Sequence, residues 1–262
     1  MEKTYHFLSG LPRSGSTVLA SILNQNPDVY VTPTSPMLNV AVKMQQAWVE
    51  DPTVKANYFE EQINNLTKAI LPAFWQHRPE SIIIDKGRGW AKNMPNASKL
   101  FGKKIKVIVL KRDLPSIMAS WLTLIRKQPG SSVDQTLISN GYAINDENRM
   151  GEMWFNMVKE CMEGYQQIIR ETPDQIIIVD YDDLIVNPEN ELKRIESFLE
   201  LPKWKYDFDN IENDTVDDDL HAWGFDGLHT IRPKLEKTSK DPQEILGEEL
   251  YHRFLNLEKN YI

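Results

Sequence analysis

The stretch FLSGLPRSGSTVLASIL, residues 7 to 23, decides the fold. An apolar run from Thr4 to Leu8 reads as a strand, and Val18, Leu19, Ile22 and Leu23 recur at helical spacing. Between them lies a loop punctuated by Gly10 and Gly15. In a strand, loop, helix context, consecutive backbone N–H groups and the positive end of the helix form an anion cradle, and Gly15 lets the backbone approach a phosphate closely. The glycine spacing is that of a nucleotide-binding loop, but Ser16 stands where an NTPase carries lysine, and Arg13 supplies the cation three residues earlier. Such a loop suits a terminal phosphate or sulfate group better than a magnesium-bridged triphosphate.

Working outward, Ile82 to Ile84, Lys106 to Leu110 and Ile176 to Val179 are further short, nearly all-apolar segments, as strands covered on both faces must be. Helical stripes alternate with them: Met37, Ala41, Met44 and Trp48; Phe59, Ile63, Leu66, Ile70 and Phe74; Ile117, Met118, Trp121, Leu122 and Ile125; and Met153, Met157, Cys161, Tyr165 and Ile168. Strands alternating with helices imply an α/β fold, a doubly wound parallel sheet flanked by helices, with its ligand at the carboxyl ends of the strands. The third of the four strands ends in Lys111 and Arg112, a basic end that calls for a second anion rather than a metal ion. From Pro202 to about Lys240 periodicity fades, which predicts an irregular lid, and a closing helix opens at Asp241 and Pro242.

With 262 residues, a single domain spanning 1–262 is expected. A net charge of -8 and a pI near 5.3 argue against nucleic acid as the main partner, so any polyanion site must be local. Cys161 is the only cysteine, and neither a signal peptide nor a membrane span is legible. A cytoplasmic protein that does not engage membranes is the expectation. The oligomeric state is not readable.

The segments PRSGST, NQNPDV, DKGRGW, VLKRDLPSIMAS and VDYDDLIVNPENELKRIESFLEL follow one another in an order that resembles the sulfotransferases dependent on 3′-phosphoadenosine-5′-phosphosulfate (PAPS), the protein-tyrosine branch in particular. The resemblance covers roughly residues 5 to 201 and implies a P-loop-type fold and transfer of a sulfuryl group to a small-molecule or peptide acceptor, without a metal. It implies that Arg13, Ser14, Gly15, Ser16 and Thr17 wrap the 5′-phosphosulfate, and that Arg112 and Ser120, eight apart, bind the 3′-phosphate. Lys86 matches the lysine that neutralises charge during transfer, and Tyr181 the segment that contacts the nucleotide. Where the related enzymes carry a glutamate base, Thr34 stands here, and threonine is no general base near neutral pH.

Three candidates for that base remain: His229, Asp85 and His77. His229 is preferred because an imidazole titrates near neutral pH and because it shares the stretch GLHTIRPKL with Arg232 and Lys234, cations in an acidic region suited to closing over a bound anion. Arg88 and Trp90 are candidates for the border of the acceptor pocket. Two rival readings stand beside this one, a P-loop kinase of small metabolites and a non-catalytic protein that binds PAPS or its product 3′,5′-adenosine bisphosphate (PAP).

Overall fold

The structure, a computed structural model, describes residues 3–57, 59–101, 105–213, 218–237 and 240–261. Five strands, β1 (Thr4–Gly10), β2 (Val29–Thr34), β3 (Ile82–Lys86), β4 (Val107–Lys111) and β5 (Ile176–Asp180), form one parallel sheet in the order β2-β3-β1-β4-β5. Early helices are α1 (Ser16–Leu23), α2 (Met37–Glu50), α3 (Pro52–Asn57), α4 (Glu60–Phe74) and α5 (Trp90–Phe101). After β4 come α6 (Leu114–Arg126), α7 (Ser132–Ser139), α8 (Asp146–Met153) and, past a π-helical turn at Trp154–Val158, α9 (Lys159–Glu171). Beyond β5 lie α10 (Tyr181–Val186), α11 (Pro188–Leu199), α12 (Asp219–Trp223) and α13 (Pro242–Glu258). None of the described helices is long and apolar enough to cross a membrane.

The doubly wound parallel sheet is as the alternation of strands and helices predicts, with one strand more. β2 escapes sequence reading because its apolar run is only Val29 to Val31 before Pro33; proline is tolerated because β2 is an edge strand. From the central β1 the chain builds β2 and β3 on one side and β4 and β5 on the other, which opens a crevice at the carboxyl ends. β1 and β4 are packed so tightly that a Cβ at Gly10 would lie 2.3 Å from the Leu110 carbonyl oxygen. Only glycine fits there.

Each face of the sheet carries its own core. Phe7, Ile83 and Val109 face a core completed by α5, α6, α9 and α13; Leu8, Ile84 and Ile108 face one completed by α1 and α11. The stripe from Met153 to Ile168 lies in the first core, with Cys161 half-buried there. The α4 stripe behaves differently from expectation: Leu71 and Thr67 face inward, whereas Phe59, Leu66 and Phe74 stay exposed.

The segment 202–240, of which residues 214–217 and 238–239 lie outside the described ones, is largely irregular apart from α12. It forms a strap rather than a loose loop. Tyr206, Phe208 and Ile211 pack on the α1/α11 core, Phe225 and Leu228 enter the other, and Ile231 and Leu235 return to the α1/α11 core. The outgoing and returning limbs are joined where Ile211 N–H donates to the Pro233 carbonyl (2.6 Å) and Leu235 N–H to that of Phe208 (2.8 Å).

One core residue makes the fold acid-sensitive. His6 on β1 is buried, and desolvation, reinforced by the charge of Lys106, pushes its pKa down from 6.5 to about 4. The unfolded chain therefore takes up a proton from pH 6.5 downward while the folded one resists it, so stability falls over that window and the loss is complete near pH 4. A shift of that size corresponds to about 3 kcal/mol. His6→Leu should remove that much of the difference between urea stabilities at pH 6.5 and pH 4; parallel pH profiles for variant and wild type would refute it.

Candidate active site

A cleft of about 910 Å³ opens at the carboxyl edge, walled by the loop after β1, the ends of β3 and β4, α6, α10 and the strap. Nine of its lining residues are Lys or Arg (Arg13, Lys86, Arg88, Arg112, Arg126, Lys127, Arg232, Lys234 and Lys240), against one acid, Glu236. In a chain of net charge -8 this concentrates positive potential in one concavity, which is the electrostatic description of a polyanion site.

The loop is built for close backbone approach. Gly15, at the N-cap of α1, has φ 89°, and a Cβ there would lie 2.7 Å from the Tyr181 ring. Arg13 also lies in the left-handed region, at φ 59°. A non-glycine residue holds such a conformation when its surroundings over-determine it. Here its carbonyl accepts from Arg112 Nη1 (2.8 Å), its Nε donates to Ser120 Oγ (3.0 Å) and its Nη1 to the Leu228 carbonyl of the strap (2.6 Å). Burial, and next the charge of Arg112, pulls the Arg13 guanidinium below its ordinary value. Two cations held this close repel each other unless an anion lies between them. Arg112 in turn sits over the Tyr181 ring, 4.3 Å from its centre.

Lys86 ends β3 with only 5% exposure, in register with Leu8 of β1 and Thr34 of β2. Its backbone N–H donates to Thr32 Oγ1 (2.9 Å). Strand alternation sends its neighbour elsewhere: Asp85 is fully buried, away from the cleft, and accepts from Ser35 Oγ (2.7 Å), Trp75 Nε1 (3.1 Å) and Trp90 Nε1 (2.9 Å). Burial raises the Asp85 pKa despite those three hydrogen bonds.

Of the residues singled out from the sequence, the cleft brings together Arg13, Gly15, Ser16, Thr17, Thr34, Lys86, Arg88, Arg112, Ser120, Tyr181, His229, Arg232 and Lys234. Ser14 points the other way, its buried hydroxyl donating to the Leu11 carbonyl to close the turn. Trp90 belongs to the core, its ring centre 4.2 Å from that of Phe7. His77 is exposed before the start of β3, at the opposite end of the sheet from the cleft. Lys234 is paired with Asp209 (2.8 Å) on the rim. Asp219, which no sequence signal marks, contacts His229.

The chain matches the sulfotransferase family over residues 7–206. A putative protein-tyrosine sulfotransferase of Caenorhabditis briggsae is 27% identical over 199 residues, 74% of this chain and 65% of its own length. Protein-tyrosine sulfotransferase 1 of Danio rerio is 25% identical over 203 residues, 75% of this chain and 53% of its own. The chain thus spans between half and two thirds of the length of these relatives. Among solved structures, a mouse sulfotransferase complexed with PAP aligns over 100% of this chain and 85% of its own at TM-score 0.57 and 13% identity. A sulfotransferase domain from the curacin biosynthetic pathway aligns over 99% and 98% at TM-score 0.55, also with 13% identity. At such identities the likeness is one of fold.

Proposed function

Because this chain belongs to the sulfotransferase family, we propose that it moves a sulfuryl group from PAPS to a hydroxyl or amine of a small-molecule or peptide acceptor. The observation that carries the reading is the convergence of Arg13, Lys86, Arg112 and Ser120 on one cleft, where Arg13 is tied to Ser120 through its side chain and to Arg112 through its carbonyl. A ligand with more than one anionic group matches that concentration of donors, and the backbone N–H groups of the loop ahead of α1 suit one of them. When bound, PAPS supplies an activated sulfuryl group on a phosphate leaving group. The loop N–H groups, Ser16 and Thr17 orient its 5′ end, and Arg112 and Ser120 hold its 3′-phosphate. Arg13 and Lys86 place positive charge where negative charge develops on the leaving oxygen. His229 takes the proton of the acceptor, the part that Thr34 has no chemistry to play. Arg232 and Lys234 add to the field on the strap side, and a metal ion has no step to perform.

Thermal shifts test this. PAP should raise the melting temperature well beyond AMP, since the second phosphate has donors of its own, and beyond Mg-ATP, the ligand of a kinase. Arg112→Ala should weaken PAP binding by about 2 kcal/mol, through loss of a charge-assisted partner. Equal shifts from PAP and AMP would overturn the donor assignment. PAP binding without any turnover of PAPS would favour a regulatory binder.

A further inference from the structure

We infer that the outward face of α4 is a self-association surface whose partner is a second copy of this chain, the two helices lying antiparallel across a twofold axis. Phe59, Ile63, Leu66, Ile70 and Phe74 recur at spacings of four, three, four and four residues, a seam of the kind that packs against another helix. The rest of the molecule leaves most of it uncovered. α4 is held to the core by Thr67 and Leu71, about a quarter-turn further round the helix, while Phe59, Leu66 and Phe74 are 41%, 52% and 43% exposed. With Gln62, Ala69 and Ala73 the seam fills a sector of roughly 140° and about 22 Å in length, and Gln62 is its one polar residue. A continuous apolar face of this kind marks an interaction site.

The chemistry of the face selects the occupant. Glu60, Glu61 and Lys68 all fall outside the sector, so it holds no charge with which to recognise a charged partner. An anionic lipid surface would call for Lys and Arg along the borders of the stripe, where the first turn instead carries Glu60 and Glu61. What the stripe does match is itself. The order Phe, Ile, Leu, Ile, Phe reads alike in both directions; Phe59 and Phe74 lie equally far from the midpoint between Leu66 and Thr67, as do Ile63 and Ile70. A twofold axis through that midpoint lays Phe59 of one copy on Phe74 of the other and Ile63 on Ile70, and it brings the two Leu66 side chains together. Ala73, beside Phe74, leaves room for the incoming ring. Parallel pairing would set Glu60 and Glu61 of both copies side by side, whereas antiparallel pairing sends them to opposite ends and opposes the two helix dipoles.

Sedimentation of the full chain at tens of micromolar tests this. The wild type should run as a dimer, at twice the chain mass of 30.4 kDa, and dissociate on dilution. Leu66→Glu sets two carboxylates against each other at the axis and should weaken the dimer about 100-fold. Val186→Glu, which places the same charge at an exposed apolar position on α10, should leave the dimer intact. Mixing Leu66→Glu with Leu66→Lys should restore association, as a contact of position 66 with its own copy requires. Direction is read in the same way: Phe59→Glu should pair with Phe74→Lys and not with Phe59→Lys. If a charged variant at position 66 does not fold, Leu66→Ala should still weaken the dimer about tenfold. A wild type that remains monomeric at tens of micromolar overturns the proposal. So does a dimer that the substitutions at Leu66 leave intact, a mixture that fails to reassociate, or a preference of Phe59→Glu for Phe59→Lys.

Discussion

Lys86→Ala should slow sulfuryl transfer by about two to three orders of magnitude while changing PAP affinity only a few-fold. The expectation follows from where the ammonium stands. Lys86 is nearly sealed from water between β1 and β2, and its charge meets little screening in the cleft. Negative charge on the bridging oxygen grows only as the S–O bond breaks, so a cation placed there stabilises the transition state more than the bound ground state. Single-turnover rates with PAPS, set beside PAP titrations, provide the measurement. Equal losses in affinity and rate would reduce Lys86 to a binding residue. Lys86→Arg is a sharper control, because a planar fork on a longer stem does not reproduce a compact ammonium in a space closed by two neighbouring strands.

The neighbouring residue governs folding instead. Asp85→Ala should destabilise the protein by about 3–5 kcal/mol, because it removes the acceptor of two buried indole N–H groups and of the half-buried Ser35 hydroxyl. Asp85→Asn keeps one acceptor oxygen of the same shape, and should lose markedly less. Urea unfolding near neutral pH distinguishes the two. An alanine variant as stable as wild type would show that Trp75, Trp90 and Ser35 find other partners. The raised pKa of Asp85 has a sign as well: it favours the protonated folded state, so its contribution to stability diminishes as pH rises through the folded value.

Much of the site is legible in the sequence because its chemistry is local. A loop that joins a strand to a helix, and strand ends rich in Lys and Arg, are read within a few residues, and parallel topology then places them at one edge. What escapes depends on direction or on distance. Asp85 and Lys86 are adjacent letters, and only the strand's alternation sends one to the core and the other to the cleft. Asp219 sits in the acidic run DDDL, where nothing distinguishes it from Asp217 or Asp218, and its partner lies ten residues further through an irregular chain. β2 is hidden by the proline that interrupts it, which an edge strand accommodates. The α4 periodicity is correct as helix and misleading as burial, since a helix that touches the core through Leu71 and Thr67 leaves other apolar positions outside.

The strap has a kinetic consequence. Its limbs are stapled together on one face of the sheet, while its tip is lodged on the other by Phe225 against Trp121, ring centres 5.5 Å apart, and by reciprocal 2.8 Å hydrogen bonds between Gln128 and the Asp226 backbone. The tip cannot swing away without withdrawing a buried phenylalanine from a packed core. Such an opening is a partial unfolding event, and on the sulfuryl-transfer reading proposed above it would be the slower step, after chemistry. Rapid mixing should therefore reveal a burst of one product equivalent per protein chain, followed by a slower steady rate set by departure of the spent nucleotide. Loosening the plug by Phe225→Ala should speed that second phase even as it costs thermal stability.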